Sequence, residues 1–141
     1  MRPSIVVLLL AACGGSGPSD TPDQLDVTGT WTLEARGQSV ELRTSCHLAG
    51  SLFLAPNGIQ YSGTLTNSIG SCADDFGESS GSLDAALAGV TVVGDQMSYS
   101  YGSCTMLGTA DGPDRVEGQI SCLYERAGDT YPVSGTWSMS R

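Results

Sequence analysis

Cys46, Cys72, Cys104 and Cys122 carry the most definite chemistry in this chain, and what they do depends on whether it is exported. The start of the chain points to export. Arg2 precedes an apolar run from Ile5 to Ala12 that ends in small residues, which is the order of a secretory signal removed from the mature protein. Pro3 and Gly14-Gly15 bound the run, leaving it well short of the about 20 apolar residues that a transmembrane helix needs. In an oxidising compartment four thiols form disulfides, with three possible connectivities. Spacing separates them. Cys104 and Cys122 lie symmetrically about the turn sequence Asp111-Gly112-Pro113-Asp114, so a symmetric hairpin sets them face to face. Cys46 and Cys72 flank a hairpin turning at Pro56-Asn57-Gly58 and tie the start of one strand to the loop beyond the next. The expected pairs are therefore Cys46 with Cys72 and Cys104 with Cys122, each adding about 2–4 kcal/mol by restricting the unfolded chain. No Cys-x-x-Cys spacing speaks for metal ligation.

Other reactive groups are sparse. His47 is the only histidine, and it falls on the polar parity of its strand, which suits an exposed or edge-satisfied role rather than that of a general base for a nucleophile. Asp74, Asp75 and Glu78 cluster without an EF-hand spacing and read as a solvated acidic loop, with a weak calcium site as the other option. The chain is accordingly read as a non-enzyme, with no catalytic residue, no metal and no cofactor. A formal charge of −9 and the absence of lysine exclude nucleic acid and anionic headgroups as partners, since both need a basic surface.

Leu10-Ala11-Ala12-Cys13 closes the apolar run, and it resembles the lipobox of bacterial lipoproteins. The resemblance implies that residues 1–12 are a signal peptide and that Cys13 becomes the mature N-terminus, carrying a diacylglycerol thioether and usually a third acyl chain. Two or three chains hold a small domain on a bilayer where one does so only marginally. In that family an aspartate after the cysteine favours the inner membrane. Gly14 stands there instead, so the resemblance implies a cell-envelope protein sorted to the outer membrane. Residues 13–26 then comprise the lipidated cysteine and a flexible tether. The polar, Gly/Ser/Pro-rich stretch from Gly14 to Asp26 has a root-mean-square reach of roughly 20 Å.

From Val27 to Arg141 the chain reads as one all-β domain. A five-residue unit recurs: apolar, any residue, Gly, polar, apolar. Its copies are Val27–Trp31, Leu48–Leu52, Tyr61–Leu65, Val116–Ile120 and Val133–Trp137. Period-two alternation puts the apolar ends and the glycine on one face and the polar residues on the other, as in a half-buried antiparallel strand. An inward glycine either bends the strand or leaves room for a ring from across the sheet. Eight strands are predicted, near Val27–Ala35, Ser39–Thr44, His47–Leu54, Ile59–Thr66, Leu83–Val93, Gln96–Met106, Arg115–Glu125 and Thr130–Met139, with a long loop at Asn67–Gly81. Such a set closes into an eight-stranded antiparallel up-and-down barrel or packs as a two-sheet β-sandwich. Val27–Leu33 and Val133–Met139 share Val-x-Gly-Thr-Trp-x-apolar, so the first and last strands look made to pair and remove the sheet's free edges.

Gly29-x-Trp31 near the start of the first strand resembles lipocalins and the related avidin-like barrels. The resemblance implies a lipocalin-like barrel in which an arginine from the end of the last strand stacks on that tryptophan, a place that Arg141 fits. Two functions are open. One is a carrier in which the inward-parity residues Trp31, Tyr61, Tyr99, Tyr101 and Trp137, with Leu52, Leu65 and Ile120, line a pocket for a small apolar ligand. The other is a structural or protein-binding envelope lipoprotein whose Asn67–Gly81 loop contacts a partner. An interior void on the order of several hundred Å³ favours the carrier, and a filled barrel the second reading.

Overall fold

The computed structural model describes residues 24–141, which form nine strands and no helix: β1 Gly29–Ser39, β2 Thr44–Asn57, β3 Gln60–Asp74, β4 Gly77–Ser82, β5 Ala85–Val93, β6 Gln96–Tyr101, β7 Cys104–Ala110, β8 Arg115–Arg126 and β9 Asp129–Ser140. All pairings are antiparallel. Eight strands run round a closed ring in the order β1-β2-β3-β5-β6-β7-β8-β9, and β9 returns to β1 with Ala35 opposite Trp137 and Gly37 opposite Gly135. The expected barrel is therefore present, and the sandwich is not.

Three segments differ from the sequence reading. Ser39–Thr44 is not a strand: Val40 to Arg43 form the tight turn joining β1 to β2, with Arg43 at φ 50°. The run Gln96–Met106 is broken at Gly102, whose φ of 56° reverses the chain and divides the segment into β6 and β7. The Asn67–Gly81 loop is instead a hairpin arm. There β3 continues to Asp74, and β4 pairs with its outer half alone, Ile69 to Ser82 through Asp74 to Gly77. Every residue of β4 is exposed, so no apolar alternation announced it. Only backbone bonding makes it a strand.

The barrel wall follows the period-two rule. Along β1 the residues Trp31, Leu33, Ala35, Gly37 and Ser39 are buried and the intervening ones exposed. The recurring glycines sit where the coiled sheet brings backbones together: a Cβ on Gly118 would stand 1.9 Å from the Leu107 carbonyl oxygen, and one on Gly135 1.8 Å from that of Arg36. Facing glycines, Gly108 with Gly118 and Gly37 with Gly135, line the inner wall. The Trp137 indole lies over Gly108, donates its Nε1–H to the Gln119 carbonyl at 3.0 Å and meets the Tyr99 ring in a T-shaped contact, with ring centres 5.4 Å apart.

One end of the barrel is sealed by the chain's own approach to β1. Gln24 Nε2 donates to the Val92 carbonyl (3.0 Å), the Leu25 amide donates to Gly94 (2.9 Å), and Val27 is fully buried beneath. Packing of the domain thus reaches back to Gln24, inside the stretch expected to be tether. Trp31 Nε1 donates to the Val27 carbonyl at 2.8 Å, and the Arg141 guanidinium lies 4.3 Å from the Trp31 ring centre. The stacking expected of Arg141 is present. Its Nη1 also donates to Thr28 O and its Nη2 to Asp26 O and Pro113 O, so the cation fastens both chain ends and the β7–β8 turn across this floor. Residues 1–23, including Cys13 and the signal segment, lie outside the described residues.

Candidate functional site

The opposite end is hollow. Large side chains fill the floor half: Trp31, Leu33, Leu52, Leu54, Leu65, Met97 and Met139 are all at most 1% exposed. Toward the mouth the inward positions shrink to Ala35, Gly37 and Ser39 on β1 and to Ser68 and Gly70 on β3, leaving a cavity of about 450 Å³. Apolar side chains dominate its wall, with Leu48, Leu83, Met106, Ile120 and Val133 contributing from different strands.

Both disulfides belong to this cavity. Cys46–Cys72 joins directly opposed residues of β2 and β3, and Cys104–Cys122 does the same across β7 and β8, with Cα atoms 4.1 and 4.0 Å apart. The pairs are those expected, although Cys72 lies in a strand where the sequence suggested a loop. Cys104 shares the inward parity of Met106, and Cys122 that of Ile120, so both bridges cross-link the mouth.

Of the five aromatic residues expected to bind a ligand, only Tyr101 reaches the cavity. Trp31 is part of the floor, Trp137 and Tyr99 pack against each other in mid-barrel, and Tyr61, at the floor end of β3 opposite Pro56, is half-buried. Leu48, Met106 and Val133 line the site and were missed. Parity alone could have found Leu48, which opens one of the repeated units, but parity does not tell floor from mouth.

The polar atoms around the cavity are largely engaged with the protein. Tyr101 donates its hydroxyl to the Leu83 carbonyl at 2.5 Å; burial, followed by the nearby Asp84 charge, pushes its pKa up and keeps the group a neutral donor. Ser103 Oγ donates to the Leu123 carbonyl at 2.6 Å. Arg36 and His47 border the cavity through their backbones, while their side chains are exposed on the outer wall. Lower in the barrel, Tyr99 Oη is buried without a hydrogen-bond partner among the described residues, and burial drives its pKa upward. Among the described residues no three His, Cys, Asp or Glu side chains gather in a way that could hold a metal ion. Such a lining suits a neutral apolar guest, because a buried charge would lack a partner.

Where β3 parts from β5, Asp84 Oδ1 accepts from both the Ser68 hydroxyl (2.7 Å) and the Ser68 amide (2.8 Å), and Ser68 Oγ in turn accepts from the Leu83 amide (3.1 Å). The Ser68 bonds hold the Asp84 carboxyl below its ordinary pKa. This knot fixes the base of the β3–β4 arm. The neighbouring Asn67, at φ 50°, turns the strand there.

No family model, curated protein or solved structure matches this chain.

Proposed function

We propose that this protein is a lipid-anchored envelope carrier that holds one small, neutral, apolar molecule in the mouth half of its barrel. The observation that supports this reading over a purely structural one is the cavity of about 450 Å³, a size within the range of small-molecule sites and walled by aliphatic and sulfur-bearing side chains. The test is titration with N-phenyl-1-naphthylamine, a neutral probe whose fluorescence rises in apolar surroundings. Leu48→Trp fills the cavity from β2 and is expected to weaken probe binding at least tenfold, about 1.4 kcal/mol, while the thermal midpoint stays close to that of the unaltered protein. No probe binding by the unaltered protein, or equal binding by the variant, sinks the carrier reading.

Anchoring rests on Leu10-Ala11-Ala12-Cys13 and is a separate part of the proposal. Expressed in a bacterial host with its own signal segment, the protein is expected in the outer-membrane fraction. Cys13→Ala is expected to move it to the soluble periplasmic fraction, and unchanged membrane association of the variant removes the lipid anchor from the account.

A further inference from the structure

The β3–β4 arm does not project freely from the barrel. β3 and β8 stand diametrically opposite, with three strands between them whichever way round the ring is followed, and yet the arm's tip touches the end of β8. The Asp74 carboxylate lies 3.6 Å from the Arg126 guanidinium, and the same guanidinium stacks 5.5 Å from the centre of the Phe76 ring. Between these points Ser79 and Ser80 of the arm border the same cavity as Leu123 and Tyr124 of β8. The arm therefore spans the mouth.

Two things about its construction differ from the wall that it crosses. Its free strand, Gly77-Glu78-Ser79-Ser80-Gly81-Ser82, buries no side chain, so it is held by β3 on one side and by Arg126 at the tip. The β3 half of the arm, in contrast, is paired with β2 as far as Ala73 and tied to it by the Cys46–Cys72 bridge, and the Ser68–Asp84 knot holds its base. Segments with few buried contacts open at low free energy while their surroundings stay folded. A strand paired on one side only, exposed along its length and gripped by a single arginine at its turn, has the mechanics of a lid.

We infer that β4, with the turn that leads into it, is a lid over the cavity and that Arg126, gripping Asp74 and Phe76 from the far rim, is its latch, setting how fast an apolar ligand enters and leaves. This rests on the carrier reading for the ligand but not for the motion. Arg126 is the residue to change, because Asp74 also accepts the Phe76 amide and shapes the arm's own turn.

In the intact oxidised protein, Arg126→Ala is expected to raise hydrogen exchange of the β4 amides, Gly77 to Ser82, about fivefold without altering exchange in β8 or β9. Stopped-flow release of bound N-phenyl-1-naphthylamine should quicken by a similar factor. Phe76→Ala should act in the same direction, and adding it to Arg126→Ala should give less than the product of the two effects. Unchanged β4 exchange in Arg126→Ala overturns the latch, and faster exchange with unchanged release overturns the lid as a gate. Failure of the unaltered protein to bind the probe removes the carrier reading and with it the gate, while the exchange measurement, which needs no ligand, still decides the latch.

Discussion

Gly135→Ala is expected to destabilise the barrel by on the order of 4 kcal/mol or more, a large share of the 5–15 kcal/mol that holds a typical domain together. The added methyl carbon would lie 1.8 Å from the Arg36 carbonyl oxygen and 2.7 Å from the Gly37 Cα, and both are backbone atoms that no rotamer change can move aside. β1 and β9 would have to part where Gly37 and Gly135 face each other, which is the seam that closes the cylinder. Ordinary overpacking costs about 1–3 kcal/mol because side chains yield. Here the backbone pairing itself must give way. Gly81→Ala is the matched control: nothing lies within 4 Å of the new methyl, and its urea midpoint should match that of the unaltered protein. A Gly135→Ala midpoint within experimental error of the parent would contradict the close approach described at the seam.

The second large effect is expected at Trp31. Truncation to alanine removes a fully buried ring, which by itself costs about 3–5 kcal/mol. It also orphans the Val27 carbonyl and removes the surface on which Arg141 rests. The ring–guanidinium contact contributes about 0.5–1 kcal/mol of its own. A cycle of Trp31→Ala, Arg141→Ala and the double variant, followed by urea unfolding with the disulfides intact, should return a coupling near that figure. Zero coupling would show that Arg141 acts only through its bonds to the Thr28, Asp26 and Pro113 carbonyls and its ion pair with Asp114.

What could be read from the residues, and what could not, divides along physical lines. Barrel closure was legible because the Val-x-Gly-Thr-Trp pattern occurs at both ends, and each copy has to bury the same face. The Cys104–Cys122 pair was legible because an antiparallel hairpin imposes mirror spacing about its turn, and Cys46–Cys72 because the two flank a second hairpin. β4 was not, since a strand that buries nothing has no hydrophobic period to detect. The break at Gly102 was masked by apolar and aromatic residues running on either side of it. The cavity was misplaced for a different reason: parity says which residues face inward, but only strand register says at what height. Trp31, Tyr99 and Trp137 had the right face and the wrong level.

The seam between β1 and β9 has a consequence for biogenesis. The bond from Arg141 to the Thr28 carbonyl joins residues 113 positions apart, so the first strand made must wait for the last before its open side is satisfied. Pairings this remote in sequence form slowly, because the chain loses loop entropy before any contact rewards it. A polypeptide crossing a membrane amino end first would present β1 unpaired for the whole of its passage. During that interval its exposed amides and carbonyls can recruit another molecule's strand. Wherever the chain folds, the earliest segment to be made is thus the one that gains most from being shielded.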